Sequence, residues 1–326
     1  MRLPKFDYTE PTSLEEACGI LARTPSARIL SGGTDLLVNM KHRVETLAIL
    51  VNLKRIRGLD FVRGDKEGLR IGALAPLKKV ATSAEVLKMA PALAKAAGAV
   101  GSYHHQVMGT IGGNICQQNR CKYFNQSRWW RSAREACFKA GGKLCHVVGQ
   151  EGTCYSAYCG DVAPALLVLK AQALLQGPQV SRLIPLEDLY SGDGKAPLNL
   201  KRGEILSEFL IPGNGLGQSV SSYHKIANRG SIDFPILGFA FWGSRSDGEY
   251  RLAYTAVDRK PIRALKTEQE LKGRKPEHIE WEQMKVFLSQ DAKPVKTSLY
   301  SPAYKRELMG QVLKKTIQDL SRRNPS

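Results

Sequence analysis

Short continuous apolar runs alternate with helical spacings along the first hundred residues, which is the pattern of a mixed α/β chain. Ser13-Leu14-Glu15-Glu16 reads as a capping box, with residues 17–22 as the short helix behind it. The run Ala27-Arg28-Ile29-Leu30 reads as a strand that feeds Ser31-Gly32-Gly33-Thr34-Asp35, after which residues 36–40 have helical spacing. Residues 48–53 have the length and apolarity of a buried parallel strand, and residues 68–73 read as another. Thr82-Ser83-Ala84-Glu85 opens a helix through Leu87 and Met89, and Pro91 bends or restarts it before residues 92–97.

The pattern changes in the second half. Residues 161–169 begin a helix or a buried strand, with Asp161 placed either to cap the helix or to bond a ribityl or ribose hydroxyl. Residues 178–212 read as strands and loops, and Ile211-Pro212-Gly213-Asn214-Gly215-Leu216-Gly217 is the best linker candidate. Beyond it, residues 223–227, 236–242 and 251–257 read as three strands with hairpin spacing, followed by helices near 277–289 and 302–321. A small antiparallel sheet with helices on one face is the natural packing.

Residues 109–161 carry most of the chemistry. They open on Gly109-Thr110-Ile111-Gly112-Gly113-Asn114, the second glycine-rich turn of the chain, and they hold six of its seven cysteines. Neither glycine stretch has the GxxxxGK[ST] or GxGxxG spacing. Two such turns, each offering backbone donors, fit one diphosphate cofactor held from both sides, and a flavin dinucleotide suits them. Cys116, Cys121, Cys137, Cys145, Cys154 and Cys159 are separated by four, fifteen, seven, eight and four residues. No charged and then apolar leader opens the sequence, so the thiols are expected to be reduced in the cytosol, where clustered cysteines read as metal ligands. Short knuckles of the zinc type are missing, whereas widely spaced thiolates suit a [4Fe-4S] cluster. Spacing leaves open which four of the six would serve. His104 and His105, read as adjacent residues of an extended segment, point to opposite faces and make a poor chelate.

Composition limits the function classes. The chain has 326 residues, room for two domains, with 43% hydrophobic and 24% charged residues. No apolar run approaches the ~20 residues of a membrane span, so a cytoplasmic protein is expected. The net charge of +18 raises nucleic acid as a partner. Lys and Arg are spread out, however, with no block of five, which favours a basic surface that meets acidic partners or a phosphate-bearing cofactor. From Arg259 onward there are sixteen basic and eight acidic residues, making that part a candidate docking face.

Four motifs in order, residues 31–36, 109–115, Gly160-Asp161-Val162-Ala163-Pro164-Ala165, and Tyr223-His224-Lys225 with Asp233, resemble the flavin-binding medium subunits of the xanthine dehydrogenase (molybdenum hydroxylase) family over essentially the whole chain. Between the second and third motifs lie about forty extra residues that resemble the insertion of the 4-hydroxybenzoyl-CoA reductase β subunit. The resemblance implies an α+β fold. It would comprise a two-lobed FAD-binding domain of the PCMH/vanillyl-alcohol-oxidase type over residues 1–215, interrupted at about 116–158, and a C-terminal domain of the CO dehydrogenase flavoprotein type over 216–326. It also implies FAD held by Leu30, Ser31, Gly32, Gly33, Thr34, Asp35, Thr110, Ile111, Gly112, Gly113 and Asn114. Asp161 would bond the sugar-like part of the cofactor, and Lys225 would approach the isoalloxazine ring. Cys121, Cys137, Cys145 and Cys154 would ligate [4Fe-4S], with Cys116 in reserve and Cys159 left over.

On this resemblance the chain does no substrate chemistry of its own. It would pass electrons between ferredoxin and partner subunits that carry molybdenum and two [2Fe-2S] centres, with no nucleic acid and no membrane involved. Two alternatives stand beside it: a flavin subunit of another molybdenum hydroxylase acting on a purine, aldehyde, steroid or N-heterocycle, and a basic zinc-bearing nucleic-acid-binding protein.

Overall fold

Parallel strands need crossover connections, and the N-terminal lobe shows why the first hundred residues alternate as they do. In the computed structural model, which describes residues 2–214, 216, 219–244 and 248–323, Ile49–Asn52 is the middle strand of three. Asp7–Thr9 and Ala27–Leu30 lie on either side, both parallel to it. The helix Leu14–Arg23 makes the first crossover. Its cap is Ser13, whose Oγ accepts the Glu16 N–H at 3.1 Å, while the Glu16 carboxylate accepts the Thr12 N–H at 2.9 Å. Leu36–Lys41 follows the first glycine loop as the next helix.

A second lobe is an antiparallel sheet in the order Val62–Gly64, Gly68–Gly72, Ile205–Pro212, Gln172–Gln176, Ser181–Pro185. Helices 77–82, 84–89 and 91–98 cover it, and their alanines and leucines join Ile71, Phe209 and Leu175 in the main core. The helix Ala84–Met89 is capped by Ser83, not by the Thr82 of the expected box, because Thr82 ends the preceding helix Leu77–Thr82. Pro91 sits in the first turn of the next helix, where its missing N–H costs nothing.

The C-terminal part is a four-stranded antiparallel sheet in the order Ser219–Ile226, Leu237–Ser244, Tyr250–Thr255, Ile262–Arg263. Helices Leu265–Leu271, Trp281–Asp291 and Pro302–Arg323 pack on it through a separate core that includes Phe239, Tyr254, Met284 and Leu313. The first of these helices, Leu265–Leu271, escaped the sequence reading. Its other side is not bare: Ala240, Trp242 and Ala253 belong to the main core, so the sheet is shared between the two parts. The linker candidate begins inside the strand Ile205–Pro212, and its Gly215 and Gly217 lie outside the described residues. No helix among the described residues is long and apolar enough to cross a membrane.

Candidate cofactor site

The two glycine stretches touch. A Cβ on Gly32 would lie 2.2 Å from the Met108 carbonyl oxygen and 2.7 Å from Gly109 Cα, so only glycine lets the first loop rest on the second. Gly33 adopts φ +71°, the left-handed region that turns the chain into the helix at Leu36. Thr110 donates its hydroxyl to Ser31 Oγ at 3.1 Å and accepts the Gly113 N–H at 3.0 Å. Among the described residues, no protein acceptor takes the backbone N–H groups of Gly32, Gly33, Thr34 or Asp35. Four consecutive donors without a partner, on half-buried backbone, form a nest suited to phosphate oxygens. Leu30 lies beneath this loop, packed with Leu36 and Leu37.

The second stretch contributes differently from the expectation. Thr110 caps a short helix, Ile111–Ile115, and the stretch is a helix start, not an open turn. The Ile111 N–H goes to the Ala75 carbonyl at 3.0 Å, the Gly112 N–H to Ala73 at 2.9 Å and the Asn114 N–H to Thr110 at 3.0 Å. These amides are therefore engaged inside the fold. Gly112 is glycine for packing, since a Cβ there would lie 2.8 Å from Ala73. Gly113 faces the other way: its Cβ would lie 3.0 Å from both the Ser31 and the Thr110 hydroxyls. His104 and His105 are also helical, within Tyr103–Met108, and His105 Nδ1 lies 2.8 Å from Ser102 Oγ.

Asp161 and Lys225, expected at different parts of the cofactor, are hydrogen-bonded to each other. Asn114 Oδ1 accepts the Val162 N–H at 3.1 Å and so caps the helix Val162–Val168, leaving the Asp161 carboxylate for other partners. That carboxylate accepts Tyr223 OH at 2.7 Å and Lys225 Nζ at 3.1 Å, and Lys225 also donates to the Ala99 carbonyl at 2.9 Å. Burial pushes the Asp161 carboxyl up to about 6, against the opposing pull of Lys225 and the Tyr223 hydroxyl. This buried group joins the end of helix 91–98 and the start of helix Val162–Val168 to the strand Ser219–Ile226.

The insertion stands on a neck. Arg120 and Ala157 pair as an antiparallel bridge, and Asn119 Nδ2 reaches the carbonyls of Ser156 at 2.9 Å and Arg259 at 2.6 Å. The Arg120 guanidinium ion-pairs with Asp35 of the first loop and lies 4.5 Å over the Phe234 ring, leaving its buried Nε without a partner. The next residue is Cys121. Burial, and then the neighbouring Cys154 and Cys137, push its thiol up to about 11 against hydrogen bonds from the Tyr123 and Phe124 backbone. Lys139 sits among them, donating to the Asn119 carbonyl at 3.1 Å and lying 4.9 Å over Phe124, with the Cys154 and Cys121 side chains as neighbours. Cys145 is buried on a small hairpin of Leu144–Cys145 with Gln150–Glu151.

Among the described residues, no three His, Cys, Asp or Glu side chains converge as ligands of a single metal ion. Cys121, Cys137 and Cys154 nevertheless share one electrostatic neighbourhood. Of the two cysteines set aside, Cys116 packs against the main core and Cys159 is buried with Ala157 and Ala256. The reading from sequence missed Arg120 and Lys139, which look like two more surface cations until the fold encloses them.

A family model described as the FAD binding domain in molybdopterin dehydrogenase matches residues 4–214. The chain belongs to this family. A second model, the CO dehydrogenase flavoprotein C-terminal domain, matches residues 222–320. The aldehyde oxidoreductase FAD-binding subunit PaoB of Escherichia coli (strain K12) is 32% identical over 79% of this chain and 83% of its own. The nicotinate dehydrogenase FAD-subunit of Eubacterium barkeri is 27% identical over 72% and 67%. The solved carbon monoxide dehydrogenase of Hydrogenophaga pseudoflava, in a form lacking the Mo-pyranopterin moiety, shares the fold at TM-score 0.79 and 23% identity, over 97% of this chain and 96% of that one. The chain is thus an FAD-binding oxidoreductase subunit of the molybdenum hydroxylase family, with the α+β architecture expected of it. That membership displaces the zinc nucleic-acid-binding alternative. The nest at residues 32–35, with the Ser31 and Thr110 hydroxyls beside it, offers the donors that a diphosphate requires, so the residues present fit FAD.

Proposed function

We propose that the chain is the electron-transfer subunit of a complex of the 4-hydroxybenzoyl-CoA reductase type, carrying FAD in the glycine nest and [4Fe-4S] in the insertion. The observation that carries this reading is the Arg120–Asp35 ion pair. It ties the residue preceding Cys121 directly to the nest, so the insertion is built onto the flavin site and not appended at a distance. When bound, FAD exchanges electrons in pairs and an iron–sulfur centre exchanges them singly, which makes the pair a converter between one- and two-electron partners.

The chain's own residues have separable tasks. Gly32, Gly33, Thr34 and Asp35 offer N–H groups to the diphosphate, and Ser31, Thr110 and Asn114 add side chains. The Asp161–Tyr223–Lys225 group holds the two parts of the chain in register beside the cofactor and keeps a cation there. Cys121, Cys137, Cys145 and Cys154 are the proposed cluster ligands. Thiolates at the corners of a cubane lie farther apart than ligands of one ion, which is compatible with their spread. The domains are proposed as 1–215 and 216–326. The partners would be a molybdenum-bearing large subunit, a small subunit with two [2Fe-2S] centres, and ferredoxin as donor.

A second reading keeps FAD but assigns the complex to an aldehyde or N-heterocycle, and is favoured by the names of the relatives PaoB and nicotinate dehydrogenase. Anaerobic assay of the assembled complex separates the two. Ferredoxin-dependent dehydroxylation of 4-hydroxybenzoyl-CoA supports the first, and oxidation of an aldehyde or N-heterocycle with no such activity supports the second.

A further inference from the structure

An aspartate placed just before a helix usually turns its carboxylate onto that helix's own N–H groups. Asp35, which precedes the helix Leu36–Lys41, forms no such bond. Its carboxylate is held by two other side chains, the Arg120 guanidinium on Oδ1 and the Asn39 amide on Oδ2 at 3.3 Å. Asp35 therefore acts on the nest at residues 32–35 in two opposed ways. Its N–H is the last of the four donors there that lack a protein acceptor among the described residues. Its carboxylate, on the same residue and 27% exposed, repels any anion those donors would hold.

Arg120 offsets that charge, and among the described residues it is the only cation ion-paired with Asp35. The neck of the insertion sets where its side chain starts, because its N–H donates to the Ala157 carbonyl at 2.7 Å and its carbonyl accepts the Ala157 N–H at 2.9 Å. Phe234 then packs against the guanidinium, 4.5 Å from the ring centroid, and shields that face from water. The arginine side chain is 19% exposed, so it meets the carboxylate under weaker screening than a surface pair. Arginine suits this place better than lysine, since its planar fork can hold a carboxylate while one face lies on a ring.

We propose that Arg120 is a positioning residue for FAD: by neutralising and anchoring Asp35 it lets the nest accept the diphosphate, so that the neck of the insertion sets flavin affinity. This rests on the nest as the diphosphate site, and on nothing about the metal content or the substrate of the complex. Arg120 acts through Asp35 and need not touch the cofactor. Without it, a half-buried carboxylate faces the diphosphate and the loop 31–35 loses its cross-link to the neck.

The test is equilibrium binding of FAD to the full chain stripped of flavin, read by quenching of flavin fluorescence. ADP serves as a competing probe that has the diphosphate but no isoalloxazine ring. Arg120→Gln is expected to raise the FAD dissociation constant by about tenfold or more and to weaken ADP in proportion. Arg120→Lys, which keeps the charge, should bind more tightly than Arg120→Gln. The double variant Asp35→Asn, Arg120→Gln should return to within about threefold of wild type, a recovery that a general structural role for Arg120 does not give. Asp35→Asn alone, whose amide oxygen still accepts from Arg120, should bind FAD at least as tightly as wild type, and it serves the same test if Arg120→Gln does not fold. Wild-type affinity in Arg120→Gln, a double variant as weak as the single one, or weaker binding by Asp35→Asn would each overturn the proposal. Gly113→Val, which crowds the nest directly, shows where a failure lies. Affinity lost there but kept in Arg120→Gln refutes the role of Arg120 alone, whereas full affinity in both refutes the nest as the diphosphate site and the proposal with it.

Discussion

Removing the Lys225 ammonium should destabilise the fold in a way that depends on pH. In the wild type, Lys225 Nζ lies 3.1 Å from Asp161 Oδ2, with the two side chains 14% and 5% exposed. At an effective dielectric of about 20, two unit charges at that distance attract by about 5 kcal/mol. Lys225→Met leaves the carboxylate enclosed with only the Tyr223 hydroxyl, and a buried charge deprived of its partner typically costs about 3–5 kcal/mol. The Asp161 carboxyl, ordinarily at 3.8, already stands at about 6 in the fold because of burial, a rise worth about 3 kcal/mol. Between those values the folded chain binds more protons than the unfolded one, so the stability contributed by this group is full below about 4 and is lost as pH rises through about 6.

Without Lys225 that window extends upward, and the gap between variant and wild type should therefore open above about pH 6 and nearly close by about pH 5. Urea denaturation of the flavin-depleted chain at about pH 5 and about pH 8 measures both. The expected losses are about 1 kcal/mol or less at the lower pH and about 3 kcal/mol or more at the higher. The double variant Asp161→Asn, Lys225→Met should recover most of the difference at high pH. A cost equal at both values, or a double variant as unstable as the single one, would refute the electrostatic account.

The two adjacent glycines should separate binding from folding. Gly113→Val is expected to lower flavin occupancy at least several-fold with a modest change in melting temperature, because its side chain would enter the space beside the Ser31 and Thr110 hydroxyls. Gly112→Val should instead destabilise the chain by about 1–3 kcal/mol through overpacking against Ala73; equal flavin loss per unit of stability lost in both would remove the distinction. Lys139→Met should make the iron–sulfur centre harder to reduce while Lys139→Arg leaves it near the wild-type potential, since the side chain places a cation beside Cys121 and Cys154. Potentiometric titration followed by paramagnetic resonance decides this, and identical potentials in all three proteins would exclude the role.

Local signals made much of the fold legible. Ile49–Asn52 is buried on both sides and reads as a continuous apolar run, and Ser13 and Pro91 mark helix starts by side-chain chemistry that acts over three residues. Non-local effects hid the rest. Whether Gly112 or Gly113 faces a ligand depends on Ala73, nearly forty residues away, and Asp161 leaves its helix end because Asn114 takes over the cap. His104 and His105 read as extended because six residues of helix, Tyr103–Met108, are too few to show a period. Arg120 was unremarkable in sequence, and its importance comes from meeting Asp35 across 85 residues. The identity of a family follows from the order of motifs, but the ligand set of the insertion depends on how long loops close in space.

The most direct measurement is the flavin, iron and acid-labile sulfide content of the anaerobically purified complex, read per copy of this chain after allowing for the partner subunits' centres. The account predicts about one FAD and about four iron and four sulfide attributable to this chain, with Cys137→Ser removing the iron and sulfide but leaving the flavin. Flavin with no iron assignable to this chain, or full iron in the Cys137→Ser protein, would contradict it.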